Sequence, residues 1–172
     1  MNKVRTSWFI FLLTLAFFGC EEAKEMSSIN PVNWEKRNFA EAFPDSVSTG
    51  STYLSVYSEI YSRTEKSTID LTATVSIRNI NEEETIYLTE AKYYNTKGDL
   101  IRSYFSKPVY VEPLETIEII IDQDDQEGGS GANFVFDWVI PPASHEPFFE
   151  AVMISTYSQQ GLSFTTRGVR IK

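Results

Sequence analysis

The run Ser67-Thr-Ile-Asp-Leu-Thr-Ala-Thr-Val-Ser-Ile-Arg-Asn79 decides the fold class. Ile69, Leu71, Ala73, Val75 and Ile77 recur at every second residue, with Asp70, Thr72, Thr74, Ser76 and Arg78 between them. A helix would mix the two sets on every face. The period of two therefore predicts a strand with one dry face and one wet face. β-Branched residues crowd both faces and suit a pleated surface. Burying the apolar set is worth about 8–12 kcal/mol gross, before chain entropy is set against it. One such face cannot stand alone and requires a second sheet.

The surrounding chain supplies it. Thr52 to Tyr61 reads as a strand upstream. In Thr85 to Tyr94, Ile86 and Leu88 share one phase and Ala91 and Tyr93 the other, which predicts a bulge near Thr89-Glu90. Asn95-Thr-Lys-Gly98 is a hairpin turn with Gly98 at positive φ, and Asp99 to Ser106 returns along it. Val109 to Val111 is a short edge piece after Pro108. Thr116 to Asp122 points Ile117, Ile119 and Ile121 inward, and Ala132 to Ile140 does the same with Phe134, Phe136, Trp138 and Ile140. Phe148 to Tyr157 is apolar on both faces, as in a central strand, and Gln159-Gln-Gly161 turns it into Leu162 to Ile171. About eight strands without a periodic helix predict an all-β protein, an antiparallel β-sandwich of immunoglobulin or fibronectin-III type.

The 172 residues suffice for one domain with a core plus a tail. The formal net charge of −9 argues against nucleic acid as a partner, and against adhesion to anionic headgroups by charge alone. Cys20 is the sole cysteine, which excludes an intrachain disulfide and a cysteine-rich metal site.

Its position gives it meaning. Lys3 and Arg5 precede the apolar run Trp8 to Phe18, which is too short to span a bilayer, and Gly19-Cys20 ends that run before Glu21-Glu22. Residues 1–19 resemble a bacterial lipoprotein signal peptide. The resemblance implies cleavage before Cys20, thioether lipidation of its sulfur and, with Glu21 next, the outer membrane. The alternative is an ordinary cleaved signal with an incidental cysteine. Residues 20–50 read as a tether and 51–172 as the domain. Within the tether, Asn33 to Phe43 has a helix N-cap in Asn33 and a stop in Pro44. Trp34 and Phe39 do not share a helical face, so the aromatics either dock on the domain or lie near lipid.

Six segments occur in a telling order: Tyr57-Ser-Glu-Ile-Tyr61, Leu71 to Asn79, Tyr93-Tyr-Asn-Thr-Lys-Gly98, Gly128-Gly-Ser-Gly-Ala-Asn-Phe134, Glu150-Ala-Val-Met153 and Gly161-Leu-Ser-Phe164. Together they resemble the bacterial envelope family DUF3124. The resemblance covers Tyr53 to Val169 and implies an envelope location, with no catalytic residue. The turn at Tyr93 to Asp99 also looks like that of fibronectin-like and desiccation-related sandwich domains.

Three places invite chemistry. Gly128, Gly129, Ser130, Gly131 and Asn133 form either a backbone nest for an anion or a sharp sheet-to-sheet crossing that needs glycine. Asp122, Asp124 and Gln126 have the alternate oxygen spacing of a calcium loop, but Glu127 occupies the turn position and no bidentate Glu follows. Ser130, Asp137 and His145 suggest a hydrolase, yet Ala132 breaks the Gly-x-Ser-x-Gly elbow. Tyr57, Tyr61, Tyr93, Tyr94, Tyr104 and Tyr110 read as core and cross-strand residues or as an interface. Glu150, on an apolar strand, either faces solvent or pairs with Arg167 or Arg170.

The expected function is a non-catalytic, lipid-anchored binding module. Its expected partners are the membrane and an envelope protein or glycan, with no nucleic acid and no cofactor. The alternatives are a hydrolase of envelope carbohydrate or peptide using loop 122–131, and a structural, stress-protective envelope protein.

Overall fold

The computed structural model describes residues 32–44, 46–156 and 161–172. Twelve strands form there: β1 (Ser48–Ser55), β2 (Glu59–Ser62), β3 (Thr64–Asp70), β4 (Thr72–Arg78), β5 (Ile86–Tyr94), β6 (Leu100–Ser103), β7 (Val109–Val111), β8 (Thr116–Ile121), β9 (Asn133–Ile140), β10 (Phe148–Ser155), β11 (Leu162–Arg167) and β12 (Val169–Arg170). Every pairing is antiparallel.

One sheet runs β12-β1-β9-β5-β6, with β7 also on β5; the other runs β11-β10-β4-β8. Their inner faces meet in one core. Leu71, Ala73, Val75 and Ile77 lie there from β4 and its entry, against Phe134, Phe136 and Trp138 from β9 and Phe149 from β10. The Phe136 and Phe149 rings stack across the layers with centroids 4.5 Å apart. The chain is an all-β sandwich, larger than the immunoglobulin-type arrangement expected.

The strand count exceeds about eight because long runs are cut. Thr52 to Tyr61 breaks after Ser55, where the Val56 N–H donates to Ala132 O at 2.9 Å and the Ser58 N–H to Gly129 O at 3.1 Å. The Ser67–Asn79 run breaks at Leu71, whose N–H donates to Ser58 O at 2.8 Å. What precedes the break belongs to β3, which with β2 forms a separate two-stranded hairpin. Leu162 to Ile171 breaks at Gly168, where a Cβ would stand 2.7 Å from Thr52 Cγ2. There the chain leaves one sheet and joins the other.

The bulge is where the phase switch put it, between Leu88 and Glu90 opposite Trp138 and Asp137. Gly98 has φ +84. β10 is central in its sheet but alternates, burying Phe149, Ala151 and Met153 while Ile154 is exposed. Its central place is the one its apolar run predicted.

Part of the stretch read as a tether lies on the sandwich. Trp34–Arg37 forms a 3-10 turn capped by Asn33, whose Oδ1 accepts from the Lys36 N–H. Trp34 is buried against Phe105, and Phe39 and Phe43 stack on each other, Phe39 tilted against Tyr87 and Phe43 edge-on to it. The turn stops at Arg37, short of Pro44. Cys20 and residues 1–19, read from the sequence as a signal peptide, lie outside the described residues, as does the turn at 159–160.

Candidate functional site

The glycine loop closes one end of the sandwich. Gly128 has an ordinary φ of −69, so its need is space: a Cβ would stand 2.0 Å from the Tyr93 hydroxyl and 2.6 Å from Ser58 Oγ. Gly129 supplies the positive φ, +70. Gly129–Gly131 is a short 3-10 turn that leads through Ala132 to Asn133, the first residue of β9. The Gly129 N–H donates to Gln126 O, the Gly131 N–H donates to Thr96 Oγ1, and the Thr96 N–H and hydroxyl both donate to Gly128 O. The N–H groups of Gly129 and Gly131 that a nest would aim at an anion are thus taken inside the chain.

Beneath the loop, Tyr93 and Ser58 share a buried hydrogen bond of 3.0 Å. Burial pushes the Tyr93 phenol up to about 12, against the lowering effect of the Ser58 bond. Beside it, Arg102 donates to Asp125 at 2.6 Å and to Glu127 at 3.3 Å, and its guanidinium lies 5.6 Å from the centre of the Tyr93 ring. Asp125 turns inward and is buried. Asp122 folds back on its own loop, its Oδ1 accepting from the Asp124 N–H. Among the described residues, no group of three or more His, Cys, Asp or Glu is gathered as for a metal ion.

Ser130 precedes β9, and His145 follows it. Between them runs the whole of β9, eight extended residues at about 3.3 Å each, or roughly 26 Å of strand. Asp137 lies midway and accepts from the Ser51 hydroxyl. The backbone of His145 is clasped by Asn81, whose Nδ2 donates to His145 O while its Oδ1 accepts from the His145 N–H. The hydrolase set is never assembled.

Glu150 pairs with neither Arg167 nor Arg170, but with Arg78 at 3.9 Å. Arg167 lies over the Phe148 ring, and Arg170 engages Glu146 and lies over Trp138. The tyrosines are dispersed. Tyr93 is buried, Tyr57 packs edge-on to Phe164, Tyr104 tilts against Phe134, and Tyr61 is exposed on the hairpin.

A second place was missed by the sequence reading. A cleft of about 400 Å³ opens between the 3-10 turn and the edge of the sandwich, lined by Val32, Lys36, Arg37, Tyr110, Ile117 and Glu118 among others. Its volume falls in the range of small-ligand sites. Arg37 is clamped: its two terminal nitrogens donate to both oxygens of Glu115, Nη1 also donates to Tyr110 O at 3.4 Å, and the guanidinium lies 5.6 Å from the Tyr110 ring centre. These hydrogen bonds hold the Glu115 carboxyl below its ordinary range, helped by the Glu112 N–H and opposed by burial. Among the described residues no carboxylate pairs with Lys36. The cleft thus offers a fixed guanidinium, an ammonium without an acidic partner among the described residues, a carboxylate and an aromatic ring. The one local signal was Asn33 capping Trp-Glu-Lys-Arg37.

The model of the family described as protein of unknown function (DUF3124) matches residues 49–171. The chain belongs to the DUF3124 family. Three of the segments that carried the resemblance meet at the glycine end of this DUF3124 sandwich, through Ser58, Tyr93, Thr96 and Gly128. The 3-10 turn that walls the cleft lies upstream of the matched residues. No curated protein matches the chain. The crystal structure of Thermotoga maritima 1070 is similar at 8% identity, with a TM-score of 0.45 over 70% of this chain and 92% of that one.

Proposed function

We propose that this DUF3124 chain is a lipid-anchored, non-catalytic binding module of the cell envelope, at the outer membrane, and that the cleft beside Lys36 is its binding surface. The cleft carries the reading. It has ligand size, it mixes apolar wall with both charge signs, and one cation in it lacks an acidic partner among the described residues. The glycine loop, by contrast, spends its polar groups on holding β5, β9 and the β1–β2 link together.

The anchor rests on Cys20 at the end of the apolar run, with acid after it. The chain from Cys20 to Val32 reaches at most roughly 43 Å, so an anchored protein keeps the cleft within that distance of the bilayer. More than one acyl chain makes such anchoring stable, at about 0.8 kcal/mol per buried methylene.

Two measurements test the two halves. Detergent phase partition of the full chain from membranes should place it in the detergent phase and its Cys20→Ser form in the aqueous phase. Equal partition of the two would refute the anchor. Titration with small polar fragments, followed by amide NMR, should move Lys36, Tyr110 and Ile117 first. Shifts spread evenly over the surface would refute the cleft as the binding place.

A further inference from the structure

β8 is an edge strand of its sheet and, among the described residues, pairs only with β4. Which of its amides are used follows from register. The Asn79 N–H donates to Glu115 O at 2.9 Å, and the same register pairs Ile77 with Ile117, Val75 with Ile119 and Ala73 with Ile121. In an antiparallel ladder, residues alternate between bonding the opposite strand and facing away. Ile117, Ile119 and Ile121 therefore bond β4. Thr116, Glu118 and Ile120 aim their N–H and C=O groups at the free edge.

That edge lacks the usual protections. Thr-Ile-Glu-Ile-Ile-Ile contains no proline and no lysine, and it is β-branched apart from Glu118. The cleft of about 400 Å³ runs beside Thr116, Ile117 and Glu118, with Val32 and Lys36 in its wall.

We propose that the free edge of β8 takes an extended peptide segment, which adds as a strand and places a carboxylate against Lys36. This rests on the reading of the cleft as the binding surface, and it names the ligand class. Main-chain bonds to Thr116, Glu118 and Ile120 supply sequence-independent affinity, as in other strand additions. Charge sets the preference. Arg37 is neutralised by Glu115, so that among the described residues of the cleft Lys36 is the cation open to a partner. The residue facing Glu118 must be neutral or basic, because like charges directly opposite oppose pairing.

The test uses three synthetic peptides in NMR titrations of the full chain in its Cys20→Ser form. One is a Thr/Val alternating heptapeptide with one Glu, one has Lys in place of that Glu, and one is the Glu peptide N-methylated at alternate amides. The Glu peptide should shift the amides of Thr116, Glu118, Ile120 and Lys36. It should bind about three- to fivefold more tightly than the Lys peptide, the size expected of one exposed ion pair. Lys36→Glu should reverse that order, and the N-methylated peptide should not bind. Glu118→Pro, at a residue whose N–H faces outward, should block addition while the fold persists, whereas Glu118→Gln should still bind. Absence of shifts at millimolar peptide, equal binding of the Glu and Lys peptides, or retained binding of the N-methylated peptide would each overturn the proposal. If fragments still shift Lys36 and Tyr110 while no peptide binds, strand addition fails and the cleft reading stands. If neither acts there, both fail.

Discussion

The Tyr93 hydroxyl occupies the space that a Cβ on residue 128 would need, 2.0 Å from where that atom would stand. The nearest clash is therefore with the end of a ring that is itself buried and bonded to Ser58. Gly128→Ala should cost about 1–3 kcal/mol, the range for overpacking a closed site. Urea unfolding measures it. Combining Gly128→Ala with Tyr93→Phe removes the obstructing oxygen, so the double variant should lose less than the sum of the two single losses.

Tyr93 also sets an alkaline limit. Its phenol is pushed up to about 12, against about 10 in an unfolded chain. A group raised on folding contributes stability that is complete below the unfolded value and is lost as pH rises through the folded one. Stability should therefore fall between about pH 10 and 12. Tyr93→Phe should cost about 1 kcal/mol at neutral pH through the lost Ser58 bond, and flatten that fall. Urea midpoints at pH 8, 10 and 11 decide it.

The Arg37–Glu115 clamp works in the opposite direction. The Glu115 carboxyl is held below 4.5 by its bonds from Arg37. A depressed carboxyl contributes stability above its unfolded value, and this is lost as pH falls through the folded value. Acid should weaken the domain below about pH 4.5, and Glu115→Gln should remove part of that dependence while lowering stability at pH 7. An acid limb identical in wild type and variant would contradict the clamp.

Trp34 tests whether the upstream segment belongs to the folded unit. It is 8% exposed, and its ring lies 5.1 Å from that of Phe105. Trp34→Ala should cost about 3–5 kcal/mol, as for a buried aromatic. A loss below about 0.5 kcal/mol, the surface level, would mean that residues 32–44 do not hold to the sandwich.

Much of the fold was legible because sheet burial writes itself at period two. Ile117, Ile119 and Ile121 face inward as their spacing requires, and so do Phe134, Phe136 and Trp138. The phase change from Leu88 to Ala91 marked the bulge, since an extra residue must shift the pattern. The break at Leu71 was hidden for the complementary reason. Ile69, Leu71 and Ala73 keep the same parity through it, and only the bond from Leu71 to Ser58 reveals where the ladder ends. Arg37 and Glu115 lie 78 residues apart, so no local pattern could announce their clamp. The glycine loop stood out in the sequence, but whether its N–H groups faced a ligand or Thr96 depended on a contact 35 residues away.

Among the described residues β8 holds to β4 on one side and leaves its other edge open, and amide hydrogen exchange on β8 reads this residue by residue. Ile117, Ile119 and Ile121 should be protected to the level of the core, while Thr116, Glu118 and Ile120 exchange rapidly. Uniform protection of all six amides would mean that something already pairs with that edge, and uniform fast exchange would mean that β8 does not hold to β4. Either result would contradict the account.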